Sequence, residues 1–124
     1  MKRMKVVVFW AGVLALLTSA AAAASGASTA AVPQRGRAAQ VERGRAVYAD
    51  RCVRCHGSDG RGRTRLGETV EPPDLSDPVF QRGLSNARMV NSVTNGRGQM
   101  PAFKKKLSRQ DIAAAIAYVR TLGR

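Results

Sequence analysis

The sequence predicts an all-α domain of three to five helices, with the first and last helices crossing. Three observations carry this. The C-terminal stretch has the sharpest helical period in the chain: Ile112, Ala115, Ile116 and Val119 recur on one face behind a Ser108/Asp111 capping pair. Start and stop signals for further helices stand at Asp77-Pro78, Gly83, Ser85 and Gly96. No part of the domain shows the apolar–polar alternation of a strand.

The chain has 124 residues, enough for one small domain, but its first quarter has a different character. Met1 to Lys5 carries Lys2, Arg3 and Lys5; a 12-residue apolar run, Val6 to Leu17, is followed by Thr18, Ser19 and alanines 20–24. A charged start, a short apolar centre and a small-residue end are the pattern of a secretory signal peptide, with cleavage before Ser25. Retention as a membrane anchor stays open, because Val6 to Ala24 is 19 residues, long enough to span. The expected organisation is therefore a signal peptide over 1–24, a flexible linker over 25–40 and a domain over 41–124. The linker assignment rests on Gly26, Pro33, Gly36 and the absence of an apolar period.

Cleavage leaves 18 Lys and Arg against eight acids, a net charge of +10. Such a balance suits an acidic protein partner, an anionic membrane or nucleic acid. An exported chain without a nucleic-acid-binding motif excludes the last. Membrane contact is expected only if the N-terminal segment stays as an anchor. Most of the arginines are accounted for by a well-solvated surface.

The first helix is expected from Val41 to about Arg51, with Val41, Gly44 and Tyr48 on one face. Gly44 is costly there, so it marks either a weak start or a close approach by another backbone. The helix runs into Cys52-Val53-Arg54-Cys55-His56, which holds both cysteines and the only histidine of the chain. Two thiols separated by two residues, with an imidazole directly after, is the spacing that attaches a c-type haem. The thiols add to the porphyrin vinyl groups and the histidine ligates iron. A thiol–disulfide pair would use the same cysteines, but would be expected on a thioredoxin-like sheet. A zinc site lacks a fourth Cys or His. Gly57 to Gly67 has four glycines in eleven residues and is expected as a loop. Glu71-Pro72-Pro73-Asp74-Leu75 is expected to be extended. A ligating imidazole gives its other N–H to a carbonyl or carboxylate, and the Pro72 or Pro73 carbonyl is a candidate; otherwise the prolines only stiffen the turn.

A short helix is expected from Pro78 to Gly83 and another over Asn86 to Asn95. Met89 and Val93 share a face of the latter, which assigns Met89 to packing. Met100 lies in a loop between Gly98 and Pro101, aimed by stiff neighbours. Its thioether is a soft ligand suited to a haem iron, or else a gap-filler in a small core. The motif 44 residues earlier favours the ligand. Lys104, Lys105 and Lys106 follow, either steering an acidic redox partner or forming a solvated turn. Alanines keep the last helix thin, so it can cross the first at Gly44, with Tyr48 and Tyr118 filling the sides. The domain's aromatics are Tyr48, Phe80, Phe103 and Tyr118, a thin core for about 80 residues unless something large and apolar completes it.

Together these residues resemble the class I c-type cytochromes, the small monohaem kind of exported bacterial proteins. The likeness covers Val41 to Gly123. It rests on Gly44 and Tyr48, on Cys52, Cys55 and His56, on Pro73-Asp74-Leu75, on Gly98-Gln99-Met100-Pro101 and on Ala117-Tyr118. Ala115 departs from it, standing where a larger apolar residue is common. The resemblance implies a small cytochrome c fold around one haem c with its iron, thioether bonds at Cys52 and Cys55, His56 as proximal ligand and Met100 as distal ligand. The function it implies is one-electron transfer between redox partners outside the cytoplasm, by a carrier rather than an enzyme. Two alternatives accompany it: a haem-bearing subunit of a larger dehydrogenase or oxidase, and a peroxidase-like enzyme with Met100 off the iron.

Overall fold

The computed structural model describes residues 33–124; the expected signal peptide, and 25–32 of the expected linker, lie outside the described residues. The architecture is helical: α1 Gln34–Arg51, α2 Val53–His56, α3 Gly67–Val70, α4 Pro78–Gly83, α5 Asn86–Asn95 and α6 Arg109–Leu122. Among the described residues the only β-type pairing is an isolated antiparallel bridge between Arg97 and Met100. The four longer helices fall within the expected three to five, and α2 and α3 are single turns.

The structure corrects the linker boundary. Residues 34–40 are not a flexible leader but the first two turns of α1. They are exposed on all sides, so no apolar stripe betrays them in the sequence. Gln34, Arg35, Arg37, Ala38, Ala39 and Gln40 are good helix formers, and the packed half of the helix supplies the costly nucleus.

The remaining boundaries follow their capping chemistry. Asp77 accepts from the Val79 N–H at 2.8 Å, with Pro78 in the first turn of α4. Ser85 accepts from the Arg88 N–H ahead of α5. Ser108 and Asp111 cap α6 reciprocally.

Helices α1 and α6 cross at Gly44. A Cβ on Gly44 would overlap the Ala114 carbonyl, so only glycine lets the two backbones meet. The Tyr48 and Tyr118 rings pack beside the crossing with centroids 5.2 Å apart and planes tilted by 54°. Arg43 pairs with Asp111 at 2.8 Å on the outer side. The core is small: Tyr48, Leu75, Met89, Phe103, Ile112, Ala114, Ala115, Ile116 and Val119 are its buried apolar residues.

One buried polar group was not foreseen. Gln81 is only 8% exposed. Its amide donates to the Leu75 carbonyl at 2.6 Å and to the Val119 carbonyl at 3.0 Å, while its Oε1 accepts from Arg120 at 2.8 Å. Arg120 also donates to the Gln81 and Leu84 carbonyls and, at 2.8 Å, to Asn86. The α4–α5 junction is thereby fastened to α6. Nothing in the sequence around Gln81 distinguishes it from a surface glutamine.

Candidate cofactor site

Cys52, Cys55 and His56 occupy one helical turn. Cys52 closes α1, with its N–H on the Tyr48 carbonyl at 2.9 Å, and begins α2. The Cys55 and His56 N–H groups both bond the Cys52 carbonyl, at 3.1 and 3.0 Å. All three side chains are half-buried. Both thiols are free. Burial, with the neighbouring Cys55 as a lesser cause, pushes the Cys52 thiol up to about 11. That is the reverse of the lowered value a thiol–disulfide catalyst requires.

The glycine loop holds this turn from outside. Gly57, at φ 75°, ends α2 and accepts from the buried Tyr48 hydroxyl at 2.8 Å. The Gly62 N–H bonds the His56 carbonyl at 2.7 Å. Thr64 Oγ1 donates to the Arg54 carbonyl at 2.7 Å and accepts from the Gly67 N–H at 2.8 Å. A Cβ on Gly67 would overlap the Cys55 and Gly62 backbones. The density of glycines in the sequence signals a loop; that Gly67 lets it lie against the cysteine turn is visible only in the structure. Thr64 is the residue sequence reasoning missed here.

Burial lowers the His56 pKa from its ordinary value, which favours the neutral imidazole. Its Nδ1 is buried without a hydrogen-bond partner, so the bond expected to the Pro72 or Pro73 carbonyl is not formed. Pro72 instead lies over Gly62, where a Cβ would approach its Cγ to 2.9 Å, and Pro73 is exposed. The segment is also less extended than expected at its start. Glu71 adopts φ 47° and ψ 57° to close α3, a left-handed conformation that costs about 1–3 kcal/mol for a non-glycine residue.

Met100 is half-buried in the loop between α5 and α6. Its backbone pairs with that of Arg97 through two bonds of 3.0 Å. Gly96 and Gly98 take positive φ to make the reversal. The loop is then pinned to the end of α5 by the Phe103 N–H on the Val93 carbonyl at 2.9 Å and the Lys104 N–H on the Thr94 carbonyl at 3.2 Å. Met89 is buried in the core, as expected of a packing residue. Lys104, Lys105 and Lys106 are exposed, and Lys104 Nζ reaches Asn95 at 3.3 Å.

These residues fit a covalently held haem. Two free thiols lie one turn apart, a neutral imidazole with an unpartnered buried nitrogen follows them, and a methionine sits in a loop of fixed backbone.

Comparison with known proteins agrees. The family model described as cytochrome c oxidase, cbb3-type, subunit III matches residues 39–119. The CcoP subunit of the cbb3-type cytochrome c oxidase of Azospirillum brasilense is 38% identical over 87 residues, which are 69% of this chain and 30% of that protein. The FixP subunit of the corresponding oxidase of Azorhizobium caulinodans is 39% identical over 83 residues, 66% of this chain and 27% of that protein. The chain thus spans under a third of the length of these relatives. Among solved structures, the KustC0563 c-type cytochrome superposes with a TM-score of 0.62 at 30% identity, covering 65% of this chain and 98% of that one. With its helical fold and its cysteine–histidine turn, the chain belongs to the family of cbb3-type cytochrome c oxidase subunit III, as a monohaem c-type cytochrome carrying covalently bound haem c.

Proposed function

We propose that this domain transfers single electrons as a haem-bearing part of a respiratory oxidase, outside the cytoplasm. The oxidase-subunit relatives support this over a freely diffusing shuttle. The observation that carries the electron-transfer reading is the Cys52–Cys55–His56 turn, held rigid by the glycine loop. When bound, the haem supplies a one-electron Fe(II)/Fe(III) couple. Cys52 and Cys55 would anchor it covalently, and His56 and Met100 would ligate its iron. With both ligands supplied by the chain, these residues would keep substrate and oxygen off the metal. A thioether ligand favours the softer reduced state and raises the potential. Gly57 to Gly67 and the Arg97–Met100 reversal hold the two ligating segments in place, so little rearrangement accompanies a change of oxidation state. Lys104, Lys105 and Lys106 add a positive field beside the methionine, suited to an acidic redox partner.

The test is spectroscopic. The matured protein is expected to give a pyridine haemochrome of the c type and, when oxidised, the weak far-red band of a thioether–iron bond. Met100→Ala is expected to lose that band, lower the potential and bind carbon monoxide when reduced. A wild-type protein that already binds carbon monoxide would overturn Met100 ligation in favour of the peroxidase-like alternative. Purification of the native protein is expected to bring down oxidase activity; recovery as a lone chain would return the shuttle reading.

A further inference from the structure

The charge of the domain is unevenly distributed. From Pro78 to Gln110 there is no Asp or Glu, while Arg82, Arg88, Arg97, Lys104, Lys105, Lys106 and Arg109 lie within the segment. That stretch therefore carries seven of the net ten positive charges remaining after residue 24. The longer of the two helices within it, α5, buries Met89 and turns its opposite face outward. Along that outer face runs an open groove of about 540 Å³, lined by Leu84, Ala87, Arg88, Asn91, Ser92 and Arg97.

Five arginines of the described residues are already engaged by side-chain or carbonyl partners, and the two of the groove are not among them. Arg43, Arg45 and Arg51 are paired with Asp111, Glu42 and Asp50. Arg120 is consumed by carbonyls, and Arg61 bonds Ser76. Among the described residues, neither the Arg88 nor the Arg97 guanidinium has a hydrogen-bond or ion-pair partner. Each presents a planar fork that matches a carboxylate, with the Asn91 amide beside it and the apolar Leu84 and Ala87 side chains in the same groove.

We infer that this groove is a docking surface for an acidic segment of a protein partner, whose carboxylates lie between Arg88 and Arg97. The mixed apolar and polar lining, with its two carboxylate-matching arginines, favours a peptide segment over a lipid surface. Position gives the contact a purpose, which rests on the electron-transfer reading above. Arg97 is the residue whose backbone closes the Met100 loop, so a partner held there is fixed beside the methionine edge of the haem. The exposed lysines at 104–106 then supply long-range attraction, while the groove supplies the seat.

The experiment is a titration of the reduced, diamagnetic holo-domain with a capped oligoglutamate peptide, followed by amide chemical shifts at low ionic strength. Shifts are expected to concentrate between Ala87 and Arg97. The Arg88→Ala/Arg97→Ala pair should weaken binding about tenfold, and the Lys104→Ala/Lys105→Ala/Lys106→Ala triple only about two- to threefold. Shifts that follow the lysines or Arg61 to Arg65, with the arginine pair binding like wild type, would remove the proposal. So would phosphatidylglycerol vesicles perturbing the same amides more strongly than the peptide, since that outcome assigns the face to a membrane. Each variant's optical spectrum is recorded in parallel. A missing c-type spectrum in the wild type would sink the electron-transfer reading, whereas a c-type spectrum with no shifts between Ala87 and Arg97 would remove the docking proposal alone.

Discussion

A methyl group at Gly44 would overlap the Ala114 carbonyl, so a single hydrogen atom decides how closely α1 and α6 approach. Gly44→Ala should gain about 1 kcal/mol of helix propensity, yet force two backbones apart. Overpacking of this kind costs about 1–3 kcal/mol, and more where backbone must move. A lower denaturation midpoint of the holo-protein is therefore expected, and an unchanged one would show that the helices separate at no cost. Tyr48 is a second such point. Its ring is 2% exposed and its hydroxyl donates to the Gly57 carbonyl at 2.8 Å. Burial raises its pKa, so the hydroxyl stays a donor through neutral and alkaline solution. Tyr48→Phe keeps the ring but leaves the Gly57 carbonyl with only the Gly60 N–H at 3.3 Å, at a cost of about 1 kcal/mol. The measurement is chemical denaturation with amide exchange. Exchange should quicken first between Gly57 and Gly67, and uniform quickening would argue that the bond does not hold the loop.

At the scale of elements, α4, α5 and α6 were legible to the residue because each announces itself with a capping side chain and a glycine stop. Helix α1 was legible only in its packed half, since an all-exposed helix leaves no period to find. The turn α3 was missed because four residues are too few to carry one. The capping pair of α6 gives a pH prediction. A hydrogen bond from Ser108, then one from Arg43, holds the Asp111 carboxyl below its ordinary pKa. A carboxylate depressed in the folded state contributes stability that is complete above its unfolded value and is lost as pH falls through the folded one. The difference in melting temperature between wild type and Asp111→Asn should therefore be widest near neutrality and shrink as the pH drops below about 4. Because Asp111 lies at the surface, salt should narrow the difference as well. A gap that persists unchanged into strong acid would mean that the charge plays no part in the cap.

At the scale of the whole molecule, the candidate haem-attachment residues were legible because their chemistry is local: Cys52, Cys55 and His56 fall in five consecutive residues. What the sequence could not show is how they are held. Thr64, Gly62, Gly67 and the Gln81–Arg120 network act through partners up to 39 residues away, and no local pattern records such pairs. The same comparison bears on why the domain folds at all. Among the described residues its buried apolar set is nine, two of them alanines, and six lie on α1 or α6. Ordering each residue costs about 1–2 kcal/mol of conformational entropy, and domains of this size seldom offset that with side chains alone. The cysteine turn, the long glycine loop and the Met100 reversal have little regular structure to stabilise them. A covalently bound porphyrin is large and apolar and would complete the core, so folding and cofactor attachment should be linked. The Cys52→Ala/Cys55→Ala chain, which cannot be loaded covalently, is therefore expected to show weak helical circular dichroism and no cooperative thermal transition. The loaded wild type should melt sharply under the same conditions. If the unloaded chain melts cooperatively with native helix content, the helix crossing and the Gln81–Arg120 fastening suffice, and the haem is a passenger in a core already formed.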